Sequence, residues 1–471
     1  MANLGLKERY DFQQWIIKDL KEKNGYSQRD AAQYNSRLAM DEELLWDFLT
    51  ETQEETMDYL LKKLSKETII TLINKEIVKG GFLFALKEGV FIENKQLRLL
   101  YRKPATSFNE KAVQQYNANR LSVIEEVVYE EGGRIDLVIF INGLALFAIE
   151  LKFNPSGQSV QDAIKQLKGR NSNNRLFRFE QGVLASFAVD TMEIYMTTQL
   201  KGQETYFLPF NMGKGEGIDM GSGNPHNPNG VDTEYLWLDV LTKDSILQLI
   251  ESFIFFELDK NDHKKRTLIF PRYHQRRAVS RLLEDMKVNH TDSNYLIQHS
   301  AGSGKTNTIA WLAHSLVSLH DDQNRNIVDT VLIVTDRIVV DRQLQDAVRQ
   351  INHKNGVVKV MGDRETSSDL ADAIAGNTKI IATTIHKFAQ INQSNWMSVG
   401  NTAKKKFAIL IDEAHSSTTG SYMSSVSQVL TETDTEDGTI DEIQEVTVAD
   451  AIEQAYRKAR QCFNHCFYGN S

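Results

Sequence analysis

Residues His299-Ser300-Ala301-Gly302-Ser303-Gly304-Lys305-Thr306 join a short apolar run, Tyr295–Gln298, to a stretch with Ile309, Leu312, Ala313 and Leu316 at helical spacing. A strand, a glycine turn and a helix N-terminus together make a phosphate site. Gly302 and Gly304 let the backbone wrap an anion around Ser303, and the free N–H groups of the helix start point into the loop. Lys305 would neutralise the β- and γ-phosphates, and the Thr306 hydroxyl would ligate Mg²⁺. His299 stands where the general pattern has its first glycine. The chemistry implied is binding of a nucleoside triphosphate.

The second half of that site is Lys406-Phe-Ala-Ile-Leu-Ile-Asp-Glu-Ala-His415, an apolar strand ending in two acids. A buried parallel strand delivers side chains at its C-terminal edge, where α/β sheets bind ligands. Asp412 would hold the Mg²⁺ shell, Glu413 would orient or deprotonate the attacking water, and His415 would connect the nucleotide site to the rest of the machine. Loop and strand together read as an ATPase core.

A different constellation lies earlier in the chain. Arg134-Ile-Asp-Leu-Val-Ile-Phe-Ile141 leads through Asn142-Gly143 into Leu144-Ala-Leu-Phe-Ala-Ile-Glu-Leu-Lys152. Asn-Gly between apolar runs signals a hairpin. Alternation puts Glu150 and Lys152 on one face. A two-residue turn would pair Asp136 with Ile149, whereas a three-residue loop or a bulge sets Asp136 opposite Glu150, so we expect the latter. Two carboxylates placed so can hold a hard divalent cation, with Lys152 stabilising a hydroxide or developing negative charge. That is the chemistry of metal-assisted phosphodiester hydrolysis, and a charge in an apolar strand is costly unless paired or used. Downstream, Gln161–Arg170 reads as a helix from which Gln166 could reach a substrate phosphate or the metal shell.

The elements that must position these residues fall into two modules. Residues 1–95 read as helices, with apolar residues at three- and four-residue spacing over Phe12–Leu20 and Asp41–Leu64. From 96 to 210 short β-branched and aromatic runs predominate. Met212–Gly230 is a Gly/Asn/Pro-rich loop, and Trp237–Leu258 reads as a closing helix that ends the first module at 258. The second module, 259–471, alternates strand and helix in the doubly wound manner, with strands at Tyr295–Gln298, Thr330–Thr335, Val357–Val360, Ile380–Thr384 and Phe407–Ile411. Thr431–Glu445 reads as an acidic, solvated loop.

Composition narrows the function classes. The chain has 471 residues, 41% of them hydrophobic, enough for two or three domains. With a formal charge of −9, any nucleic-acid role needs local basic surface. Such a surface is on offer in His263-Lys-Lys-Arg266 with Arg272, Arg276, Arg277 and Arg281. Cys462 and Cys466 lack a second pair and read as free thiols of a cytoplasmic protein rather than a zinc site. No run is long and apolar enough for a membrane segment.

The two constellations, in this order, resemble the restriction (R) subunit of type I restriction–modification enzymes. That family joins an N-terminal PD-(D/E)xK nuclease to a superfamily 2 motor. The resemblance rests on Asp136 with Glu150-Leu-Lys152, on Phe270-Pro-Arg-Tyr-His-Gln275, on the phosphate loop, on Val334-Thr-Asp-Arg337 and Thr383-Thr-Ile-His-Lys-Phe388, and on Asp412-Glu-Ala-His415. It implies an α/β chain with a restriction-endonuclease-like domain followed by a RecA-like doubly wound parallel-sheet domain. It implies catalysis by Asp136, Glu150, Lys152 and Gln166, with Mg²⁺ and ATP as cofactors. Gln275 would read the adenine edge. Double-stranded DNA is the implied substrate, and the methyltransferase (M) and specificity (S) subunits are the implied partners.

Two departures accompany the resemblance. The family's Gln-x₃-Tyr element has Arg170 in place of the tyrosine after Gln166. The chain also ends about where the first motif leading to a second RecA lobe is expected, so the reading takes it as a truncated motor. Other readings are a DNA helicase or ATPase with structural hairpin acids, and an inactive subunit that only binds DNA and partners.

Overall fold

The computed structural model describes residues 9–104, 108–214, 222–259, 262, 265–289, 294–297, 299, 302–321, 323–335, 338–351, 357–362, 364–384, 387 and 405–412. Glu413, His415, Thr431–Glu445, Cys462 and Cys466 lie outside them, as do His263 and Lys264 of the basic stretch. The chain divides into two compact units, 1–274 and 275–471. Both are mixed α/β.

The first unit is built on a nine-stranded sheet. Its central path runs in chain order: β1 (Ser27–Arg29), β2 (Leu121–Glu130), β3 (Gly133–Ile141), β4 (Leu144–Leu151), β5 (Ala185–Val189), β6 (Ile194–Thr197) and β7 (Leu208–Pro209). The pairs β2–β3 and β3–β4 are antiparallel, while β1–β2 and β4–β5 are parallel. All eight residues of β4 are buried, as are seven consecutive residues of β3 from Ile135. A strand covered on both faces reads as a continuous apolar run, which is why polar residues within it stand out. Helix α1 (Arg9–Asn24) seats Phe12 edge-on against Trp237, whose indole N–H donates to Asp19 at 3.0 Å. Between β4 and β5 the chain forms α2 (Val160–Lys168), which buries Val160, Ala163, Ile164 and Leu167 on the sheet.

The β3–β4 connection is a two-residue turn. Asn142 has φ 51° and Gly143 φ 80°, the signs a type I′ hairpin needs at both central positions. Asn142 is fully buried and ties the turn down: its side chain accepts from Arg120 N at 2.7 Å and donates to Leu99 O and Asn119 Oδ1. A Cβ on Gly143 would lie 2.3 Å from Asp41 O and 2.6 Å from Leu45 N. Gly143→Ala should therefore destabilise the chain by roughly 2–4 kcal/mol, from left-handed strain and backbone overlap together. Denaturant unfolding tests this, and an unchanged midpoint would mean the turn does not have this geometry.

In the second unit four parallel strands are ordered β9-β10-β8-β11, where β8 is Thr330–Thr335, β9 Val358–Val360, β10 Ile380–Thr384 and β11 Phe407–Ile411. Helices α3 (Tyr273–Asn289), α4 (Lys305–Leu316) and α5 (Ile338–Ile351) accompany them. Among the described residues no helix is long and apolar enough to cross a membrane.

Several expected elements differ. Of the strand expected at Tyr295–Gln298, Tyr295–Ile297 is not strand and its side chains are 36–44% exposed, while Gln298 lies outside the described residues. Trp237–Leu258 is not one helix. It consists of wide helical turns at Leu236–Val240 and Leu249–Phe253 around the short helix Lys243–Gln248, and then the strand Phe255–Leu258. That strand pairs with Arg266–Ile269, the next strand in the chain, a pairing that the periodicity of one segment does not reveal. The helical pattern over Asp41–Leu64 breaks at Gln53 into Glu42–Thr52 and Glu54–Leu61.

Candidate active site

The register of β3 with β4 decides whether the hairpin acids meet. From the turn, Ile141 pairs with Leu144 and Phe140 with Ala145, but Ile139 pairs with Phe147, leaving Leu146 as an extra residue. This bulge shifts every later pair by one, so Leu137 opposes Ile149 and the continued register sets Asp136 opposite Glu150. The turn has two residues, not three, and of the two expected alternatives it is the bulge, at Leu146, that sets the register.

Asp136 is 4% exposed, Glu150 0% and Lys152 5%. Asp136 Oδ2 accepts from Leu151 N at 2.7 Å. Lys152 Nζ donates to Glu150 Oε1 at 3.2 Å, to Leu151 O at 3.1 Å and to Gln166 Oε1 at 2.8 Å. Gln166 gets there because α2 is pinned at its start. Asp190, at the end of β5, accepts from Val160 N at 2.7 Å and from Asn154 Nδ2 at 2.8 Å, and Asp162 closes a capping box with Ser159. Burial, and secondarily the Asp136 carboxylate, hold Glu150 above the ordinary glutamate range, against the pull of Arg170 and Lys152.

Arg170 is the residue that sequence reasoning missed. One turn beyond Gln166, its Nη2 donates to Glu150 Oε2 at 2.8 Å, and its guanidinium lies 5.7 Å from the centre of the Tyr129 ring on β2. The available signal was spacing, since Arg170 stands four residues after Gln166 in the stretch read as a helix, although α2 itself ends at Lys168. Tyr129 carried no such signal, since only the sheet brings β2 beside α2. Next to this cluster opens a cleft of about 480 Å³ lined in part by Tyr129, Gly132, Lys165, Gln166 and Arg170.

In the second unit the residues expected to hold a nucleotide also converge. Gly302 and Gly304 have φ 74° and 83°. Among the described residues no side chain caps the start of α4 at Gly304, so the N–H groups of the first turn face the loop. Among them, too, nothing lies within 4 Å of where a Cβ on Gly302 would be, whereas one on Gly304 would lie 2.3 Å from Gln275 Nε2. That amide donates to the carbonyls of Ser303 and Gly304 at 3.1 and 3.0 Å. His299 Nδ1 is 3.2 Å from Ser303 Oγ, a side-chain contact where a glycine would have none. Lys305 Nζ lies 3.8 Å from Asp412 Oδ1 at the end of β11, which brings the two halves of the motif together. Thr306 occupies the first turn of α4.

Comparison with known proteins adds two family matches. Residues 6–205 match the type I restriction enzyme R protein N terminus, and residues 274–435 match the SWI2/SNF2 ATPase. Among its relatives, the chain is 26% identical over 433 residues to the type I restriction enzyme MjaVIIIP endonuclease subunit of Methanocaldococcus jannaschii, covering 87% of this chain and 39% of that protein. It is 23% identical over 446 residues to the MjaIXP endonuclease subunit of the same organism, covering 88% and 40%. With the SauCOLORF180P endonuclease subunit of Staphylococcus aureus the identity is 26% over 307 residues, covering 64% and 30%. The chain thus spans two fifths or less of the length of these relatives.

Proposed function

We propose that the chain is a restriction subunit of a type I enzyme, because its first part matches the R protein N terminus of that family and is followed by sequence that matches the SWI2/SNF2 ATPase. In this reading it cleaves double-stranded DNA with Mg²⁺ at the first unit and uses ATP at the second to drive DNA translocation. The first unit is then a restriction-endonuclease-like domain and the second a RecA-like motor lobe. Methyltransferase and specificity subunits supply target recognition, since base readout needs a module of its own.

The observation that carries the reading is the bulge that faces Asp136 to Glu150 while Lys152 and Gln166 meet beside them. The donor set fits a hard divalent cation: two buried carboxylates, close enough for Asp136 to raise the proton affinity of Glu150, gain from a cation that offsets their mutual repulsion. Asp136 and Glu150 would hold it. When bound, such an ion supplies a Lewis acid and an activated water. The chain's own groups do the rest. Lys152 places a positive charge, fixed by three hydrogen bonds, where negative charge develops on a phosphate. Gln166 orients that ammonium from the cleft side. Leu151 N–H holds Asp136 in place.

For ATP, the uncapped start of α4, the open space at Gly302 and the Lys305–Asp412 pair fit a phosphate cradle. Thr306 and Asp412 would hold its Mg²⁺, and Gln275, seated on the loop, would meet the adenine. Glu413 and His415 keep their proposed parts in water activation and coupling.

The test is DNA cleavage by the chain assembled with its methyltransferase and specificity subunits, given ATP and Mg²⁺. Breaks should appear with the native chain and vanish with Glu150→Gln while ATP hydrolysis continues. Undiminished cleavage by Glu150→Gln would return the hairpin acids to a structural role.

A further inference from the structure

Arg170 is not explained by the site as described so far. Both oxygens of Glu150 already bear cationic donors, Lys152 on Oε1 at 3.2 Å and Arg170 on Oε2 at 2.8 Å. A metal ion that takes Glu150 therefore competes with two cations for the same carboxylate. The two are not equally held. Lys152 has two further hydrogen bonds, to Leu151 O and Gln166 Oε1. Arg170 has beyond Glu150 only the Tyr129 hydroxyl at 3.4 Å and that ring's face, and its buried Nε has no hydrogen-bond partner among the described residues. Its side chain is 11% exposed and forms part of the cleft wall.

Charge gives the consequence. Two carboxylates, Asp136 and Glu150, face two cations, Lys152 and Arg170, so the cluster is formally neutral without metal. Adding a divalent cation leaves an excess of positive charge in a buried place, which is costly unless an anion arrives or a cation leaves. A DNA phosphate in the cleft answers both needs, because a guanidinium binds phosphate through a planar pair of donors.

Resting on the nuclease reading above, we propose that Arg170 is a resident counter-ion of Glu150: it keeps the carboxylate pair closed to metal until a DNA phosphate draws the guanidinium into the cleft. Arg170 is thus a positioning residue that couples metal binding to DNA binding. A tyrosine at this position carries no charge and cannot do this.

The test is titration of the full-length chain with Mn²⁺, without nucleotide or DNA, at about pH 8, where an ordinary carboxylate is ionised, following free Mn²⁺ by its magnetic resonance signal. Binding at this site is the part that Glu150→Gln removes. Arg170→Gln should tighten that part about tenfold, the size expected when a single adjacent charge is deleted. Arg170→Lys, which keeps the charge, should stay within about threefold of the native chain. Unchanged or weaker binding by Arg170→Gln, with native binding still sensitive to Glu150→Gln, would overturn the counter-ion role and leave the nuclease reading standing. Binding by Arg170→Gln that a second substitution, Glu150→Gln, does not reduce would overturn both.

Discussion

Replacing Lys152 with alanine should lower DNA cleavage by the assembled enzyme about 10³-fold, while ATP hydrolysis persists. The size follows from position. Lys152 is 5% exposed, and its ammonium is aimed by Glu150, Leu151 O and Gln166. A preorganised charge in such a dry place acts on developing negative charge without reorganising. Removing it also leaves Glu150 with Arg170 alone, so some stability is lost; Lys152→Met, which keeps the volume, controls for packing. Cleavage surviving in both variants would sink the assignment. The pH profile provides an independent check. Glu150 must be ionised to hold a cation, and burial with Asp136 nearby raises its pKa above 4.5. Cleavage should therefore fall as pH drops through this raised value, with an acid limb above the ordinary glutamate range. The sign for stability is opposite: a carboxyl whose folded pKa is raised costs stability above that pKa, and the cost disappears as pH falls toward 4.5.

Lys305→Ala should weaken binding of Mg·ATP about 100-fold, the worth of a charge-assisted phosphate contact. Lys305 opens α4 directly after the glycine loop, with its side chain partly exposed and its ammonium 3.8 Å from Asp412 Oδ1, so it stands where a phosphate held by that loop would meet it. The same substitution should leave Mn²⁺ binding at Glu150 unchanged, because the two sites belong to separate compact units. Titration with a fluorescent ATP analogue measures the first effect, and near-native affinity would mean that Gly302–Thr306 does not cradle the phosphates. Lys152→Ala and Lys305→Ala should thus each remove one activity and spare the binding step of the other.

Much of this was legible from residue types and spacing. The apolar runs at Arg134–Ile141 and Leu144–Lys152 form β3 and β4, because a strand covered on both faces is nearly all apolar. Asn142-Gly143 forms the turn that its two positive φ values require. The glycine loop precedes a helix, and the strand Phe407–Ile411 delivers Asp412 to it.

Other features depended on partners far away in the chain. The local pattern allowed either register of the hairpin, and only the bulge at Leu146 turns Asp136 toward Glu150; a bulge is set by packing on both faces of the sheet rather than by one strand's composition. The Trp237–Leu258 stretch looked helical until Arg266–Ile269 paired with its end. Tyr295–Ile297 looked like part of a strand and is not one. Arg170 appeared as a misfit to a motif, and it took α2 resting on β4 and β5 to bring its guanidinium onto Glu150. The sequence by itself determined which chemical groups are present and which local elements carry them. Only the tertiary structure decided which of those groups meet, because register and strand pairing are properties of two segments at once.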